Sequence, residues 1–208
     1  LQNTPDLIIT GVMEGDRSGR SQPKIIELKA LRDVDDIRNY KIVVYLEDGD
    51  NLDYVINQNT SLSKGEFFYL YEDYSYANNH LSNSGEEKDF DFANAKSYRI
   101  SQLNNVLTGI RPVGLSRRDT ITSTIWESID YVGASATDSY DKGWKYRIDT
   151  TQVSGSYYRE NDWFTCENCL AGKSTNALAS VDFTLLANGD TLFHDFPLGS
   201  FNDPVIIS

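Results

Sequence analysis

The chain has 208 residues, 31 of them acidic and 19 basic, for a formal net charge of -12. Such a surface repels phosphate backbones, so direct nucleic-acid binding is not expected unless a cation or another domain intervenes. The length fits one domain that can bury a core without metals, and no apolar run is long enough for a transmembrane segment.

Residues 6–13 are a short apolar run and read as a first strand, followed by a Gly-, Ser- and Pro-rich loop over 14–23. Lys24 to Leu31 is a second strand, with Ile26, Leu28 and Ala30 on one face and Ile25, Glu27 and Lys29 on the other. Residues 33–40 are polar, with Val34, Ile37 and Tyr40 as anchors for one helical turn. Lys41 to Leu46 is a third strand. Asp48-Gly49 is a hairpin signal, and Leu52 to Ile56 pairs back. A turn at 62–65 enters the β-prone run Glu66 to Tyr71. From 72 to 118 the rhythm breaks, with few aliphatic residues before Ile100 and many Asn, Ser, Asp and Glu. A connection this long is functional or has structure of its own, and 101–107 is expected to form a short helix.

Residues 119–147 are the expected centre. Ile121, Ile125, Ile129 and Tyr131 share one parity, against Thr120, Thr122, Thr124, Ser128 and Asp130. That is a strand with one buried and one wet face. Glu127 falls on the buried parity, which predicts a turn or bulge between Ile125 and Ser128. After a breaker cluster over 133–143, Trp144 and Tyr146 alternate with Lys145 and Arg147, the aromatics inward. The two strands should form a hairpin at the heart of a β-sandwich, with Trp126, Trp144, Tyr146 and Trp163 as large core residues. Tyr157 and Tyr158 lie on a further strand. Residues 181–186 and 190–193 flank Asn188-Gly189, a hairpin cue, and 205–207 is a last apolar run.

In that order the chain resembles the lamin-tail-like domain found in secreted bacterial and marine microbial proteins, often beside extracellular nuclease domains. The matching pieces are Leu7 to Gly15, Pro23 to Leu28, Leu62 to Leu70, Asp119 to Gly133, Gly143 to Arg147, Trp163, and Phe196 to Phe201. The resemblance implies an all-β, immunoglobulin-like β-sandwich as a single domain over 1–208, in an extracytoplasmic setting. The 72–118 insertion departs from the family pattern, as does the second strand of the final hairpin. The family's nuclease chemistry resides in a separate domain, so the resemblance leaves activity open.

Catalysis needs a base beside a nucleophile, or a metal. The histidines are His80 and His194, and His194-Asp195 cannot form a dyad because neighbours on a strand face opposite ways. With no G-x-S-x-G, H-E-x-x-H or phosphate-cradling glycine loop, no enzyme is expected. Asp48, Asp50 and Asp53 have a spacing that could hold calcium, although the glycine and distal glutamate of an EF-hand are missing. Solvated loop acids are the alternative. Tyr71, Tyr74 and Tyr76 belong to an aromatic cluster that could stack on a glycan or a protein partner, against ordinary core and edge packing. Asn59-Thr60-Ser61 is a glycosylation sequon, meaningful if a eukaryotic cell secretes the chain.

Cys166 and Cys169 are expected to form a local disulfide, with two free thiols or a redox or metal pair as alternatives. Together with a chain that opens on Leu1, as a removed targeting peptide or a trimmed chain would leave it, this suggests a secreted or lumenal setting. The expected function is a non-catalytic binding or structural module presenting an aromatic and acidic loop surface. An accessory subunit of a larger assembly and a metal-dependent hydrolase with an unrecognised acidic site are the alternatives.

Overall fold

Two sheets pack face to face. The computed structural model describes residues 5–14, 24–72, 95–103, 107–135, 137–141, 143–148 and 163–167, and the backbone of 183–185 and 191–193. Among these, the strands are β1 (Leu7–Glu14), β2 (Lys24–Ala30), β3 (Tyr40–Tyr45), β4 (Asn51–Val55), β5 (Phe67–Tyr71) and β6 (Ser97–Arg99). They continue with β7 (Val113–Arg117), β8 (Glu127–Val132), β9 (Gly143–Arg147), β10 (Trp163–Cys166), β11 (Phe183–Leu185) and β12 (Thr191–Phe193). One sheet has the order β10-β9-β1-β2-β5-β6 and the other β4-β3-β7-β8, while β11 and β12 pair separately. The described pairings are antiparallel apart from β5 with β6.

The core lies between the sheets. Leu7, Ile9, Val12, Ile26, Leu28, Phe68 and Leu70 meet Ile42, Val44, Val113, Leu115 and Val132, with Trp163 and Tyr140 closing the cluster. The early strands form where the apolar alternation places them, and Asp36 caps a 3-10 turn, Ile37–Asn39, by accepting the Arg38 N–H. The 72–118 stretch has structure of its own in β6 and β7. Within 101–107, the described residues show a turn at Ser101 and Gln102 and a Leu107 N–H bonded to the Leu103 carbonyl. The strand expected around Tyr157 and Tyr158 lies outside the described residues.

The centre differs from expectation in three ways. First, β8 starts only at Glu127, and 118–126 is a loop with Ile121 47% and Ile125 80% exposed. The cause is local. Ser123 Oγ accepts the Ile125 N–H, and the Ser123 N–H bonds the Thr120 carbonyl, so the hydroxyl-rich chain closes on itself instead of pairing. The irregularity falls slightly later than expected: Leu115 pairs with Asp130 and Ser116 with Ser128, leaving Ile129 as the extra residue.

Second, β8 and β9 belong to different sheets and are not a hairpin. What joins them is an ion pair across the sandwich. Arg147 Nη2 bonds both Asp130 oxygens at 2.7 Å, and both residues are at most 5% exposed.

Third, the faces of β9 are reversed. Lys145 pairs with Val12, and Arg147 with Trp163, so the cations share the side of core residues. Trp144 and Tyr146 take the opposite side, and are nonetheless buried. Parity on an interior strand covered on both faces does not separate wet from dry. Lys145 reaches the Gly133 carbonyl and Asp138, and Arg147 the Ile9 carbonyl, which makes their burial tolerable. Trp163 is in the core as expected, whereas Trp126 is half-buried and lies outside it.

Candidate functional site

The two sheets differ in what they leave open. Every residue of β1, β2 and β9 is buried, so both faces of the larger sheet are covered over its central strands. Its outer side even holds a buried carboxylate, Glu27, which accepts hydroxyl protons from Thr10 at 2.6 Å and Tyr146 at 2.8 Å. β4, in contrast, alternates exposed and half-buried residues, with Asn51, Asp53 and Val55 outward. The central strands β3 and β7 of the smaller sheet are buried as well, up to Tyr45 and Arg117, so what lies open is the margin of its outer face along β4 and β8, and that margin carries aromatic rings.

Tyr45 ends β3 and lies across Gly114 of β7. A Cβ at position 114 would come within 2.9 Å of the Tyr45 hydroxyl, so the glycine is what lets the ring lie flat. Tyr131 of β8, paired with Gly114, meets Tyr45 edge-on with ring centroids 5.4 Å apart. Burial raises the pKa of both phenols above the usual value, and both stay half-buried. Trp126 lies at the other end of the same face. Lys41 Nζ stands 4.9 Å and Arg118 Cζ 4.7 Å from its ring centroid, a double cation–π contact. Lys41 also pairs with Asp53.

Past Arg118 the surface enters a cleft of about 250 Å³ at the end of the sandwich, lined by Asp6, Asp33, Asp35, Asp36, Asn39, Tyr40, Arg117 and Asp119 among others. Its charges are largely mutual. Arg117 pairs with Asp6 at 3.0 Å, and Arg38 with Asp36 at 2.6 Å. The Arg38 hydrogen bond holds the Asp36 carboxyl below the usual carboxylate range. Asp33 accepts the Lys64 N–H. Burial, with Asp6 beside it, keeps the Tyr40 phenol protonated far above its ordinary pKa. This arrangement offers polar and aromatic recognition, and the described residues contain no group of three or more His, Cys, Asp or Glu placed to hold a metal.

The residues singled out from sequence fall elsewhere. Asp53 turns to Lys41, while Asp48 accepts the Asp50 N–H within the β3–β4 turn, so the three carboxylates do not converge. Tyr71 ends β5 opposite Ile25 on the covered sheet, half-buried. Tyr74, Tyr76, His80, His194 and Cys169 lie outside the described residues, and Cys166 ends β10. Sequence reasoning missed Tyr45, Tyr131 and Trp126 as one surface. The available signal was Gly114, a glycine inside Val113-Gly-Leu-Ser-Arg117, where close approach of another group is the usual reason.

Among the described residues the architecture is all-β, two packed sheets with aromatic rings on the outer margin of the smaller one. Comparison with models of known protein families and with curated proteins finds no match. In the described residues no helix is long and apolar enough to cross a membrane.

Proposed function

We propose that the chain is a non-catalytic binding module of the lamin-tail-like, immunoglobulin-like type, working outside the cytoplasm and presenting the outer margin of its smaller sheet to a protein or glycan partner. The observation that carries this reading is the set of half-buried aromatic rings on the outer margin of the smaller sheet. The central strands of both sheets are buried, and the outer margin of the smaller one displays Tyr45, Tyr131 and Trp126 beside a charged cleft. Aromatic faces of this kind supply contact area with little entropy to lose, and the neighbouring Asp53, exposed on β4, can fix orientation by hydrogen bonds. A local Cys166–Cys169 disulfide belongs to the same reading, and no free cysteine occurs among the described residues.

The test has two arms. Native purification and glycan arrays should recover a partner whose binding falls about tenfold in Tyr45→Ala or Tyr131→Ala, with both variants still unfolding cooperatively. Assays on phosphoester and glycoside substrates, with and without divalent ions, should show no turnover. Metal-dependent turnover removed by mutating one acidic cluster would replace this reading with a hydrolase.

A further inference from the structure

Among the described residues β4 is an edge strand, paired with β3 and with no other strand. The phase of that ladder fixes which way its backbone points. At its two ends the Leu46 N–H bonds the Asp50 carbonyl at 2.9 Å and the Ile56 N–H bonds the Tyr40 carbonyl at 3.1 Å. With Lys41 opposite Val55 and Tyr45 opposite Asn51, it follows that Leu52 and Tyr54 bond β3. The N–H and C=O groups of Asn51, Asp53 and Val55 then point away from the sheet. Among the described residues these outward groups have no hydrogen-bond partner. The same three residues are exposed, Val55 by 42%.

A flat free edge is a template for another strand, and proteins usually blunt it with a bulge, a proline, a lysine or shortness. β8, at the far side of the same sheet, has the bulge at Ile129, and β6, at the margin of the larger sheet, is three residues long. β4 keeps an unbroken register over five residues and contains neither proline nor lysine. Its charge instead selects what is added. Full antiparallel overlap with a second copy would set Asp53 opposite Asp53, between chains of net charge -12. Glu47, Asp48 and Asp50 stand exposed on the turn leading into the strand, and the Asp53 side chain is 49% exposed although it pairs with Lys41. A cationic segment fits this edge. Leu52 and Tyr54, half-buried on the inner side against the core, suit apolar residues at the alternate positions.

We infer that β4 takes up an extended, basic segment of another protein as an added strand of the smaller sheet. The added strand bonds the outward groups of Asn51, Asp53 and Val55. It presents Lys or Arg to Asp53 and the acidic turn, and lays its alternate apolar side chains beside Leu52 and Tyr54. Backbone hydrogen bonds supply the affinity and the alternating side chains the selectivity. The inference rests on the binding-module reading and narrows its partner to a protein, held along the edge next to Tyr45.

A displayed library of seven-residue peptides is selected against the full chain, and the selected peptides are synthesised and titrated, with amide hydrogen exchange followed residue by residue. The expected peptides alternate apolar residues with positions that include Lys or Arg. In the unbound chain the Asn51, Asp53 and Val55 amides exchange freely while those of Leu52 and Tyr54 are protected, and binding protects the first three. Val55→Pro removes an outward N–H that the β3 ladder does not use, so the variant still unfolds cooperatively while peptide binding falls about tenfold. Asp53→Lys turns the preference toward acidic peptides. Failure to select any peptide, binding without protection of those three amides, or binding unchanged in Val55→Pro overturns the inference. So does a parent chain that dimerises through β4, since a second copy is then the occupant. Glycan capture that depends on Tyr45, with no peptide at β4, overturns the inference alone and leaves the binding-module reading standing. Turnover in the substrate assays overturns that reading itself.

Discussion

The ion pair between Asp130 and Arg147 is the sharpest place to test the fold. Asp130 accepts the Ile9 N–H at 2.7 Å and the Tyr131 N–H at 2.9 Å, besides both bonds from Arg147 Nη2. Arg147 adds a bond from Nε to the Ile9 carbonyl, and its guanidinium lies 4.5 Å over Trp163. Three strands, β1, β8 and β9, therefore converge on one buried pair. Arg147→Met keeps the volume and removes the charge, stranding a carboxylate that is 2% exposed. Breaking a buried pair from one side costs about 3–5 kcal/mol. For a chain of this size that lowers the thermal midpoint by roughly 6–20 °C. Urea unfolding with linear extrapolation gives the free energy. Asp130→Asn/Arg147→Met should recover about 2 kcal/mol relative to the sum of the single changes, since the two residues share one network.

The pH dependence gives a second reading of the same pair. Burial raises the pKa of Asp130, and Arg147 is the largest opposing influence. In Arg147→Met the folded-state pKa rises further above the unfolded value of about 3.9. The folded state then binds the extra proton, so the variant gains stability as pH falls through that raised pKa. Its deficit should be smaller at pH 5 than at pH 8. Single variants within about 0.5 kcal/mol of the parent, or strictly additive ones, would refute the reasoning.

Trp144 is fully buried and stacks on Phe164 with centroids 5.6 Å apart, so Trp144→Ala should cost about 3–5 kcal/mol, and an unchanged unfolding midpoint would refute its anchoring role. Tyr40, Tyr69 and Tyr140 have phenol pKa values raised first by burial and then by Asp6, Glu27 and Glu14 respectively. Their contribution to stability is therefore complete below the unfolded value of about 10 and is lost as pH rises above it, by about 1.4 kcal/mol per unit for each tyrosine. Alkaline unfolding should become shallower in each Tyr→Phe variant, and tyrosinate absorbance from these three rings in a still-folded chain would contradict their placement. Alkylation of native protein without reductant should leave Cys166 and Cys169 unmodified by mass spectrometry. Reduction should lower stability only slightly, because a ring this small restricts little chain entropy.

Much of the architecture was legible in the chain. The alternation in Lys24 to Leu31, the Asp48-Gly49 turn, the aromatic run ending at Tyr71 and the paired strands β11 and β12 each follow a local signal, because side-chain period and turn chemistry act over a few residues. Hydroxyl-rich β-branched stretches misled, because Thr120 to Ile125 have strand propensity while Ser123 offers the backbone a competing partner. The sequence by itself determined an all-β chain, its early strands and an acidic surface. Only the tertiary structure decided that β8 and β9 part to opposite sheets, that Lys145 and Arg147 are buried, and that Tyr45, Tyr131 and Trp126 share one face. Those outcomes depend on which strands cover which, and on partners such as Asp130 and Gly114 that lie 17 and 69 residues away from Arg147 and Tyr45, a separation that no local pattern encodes.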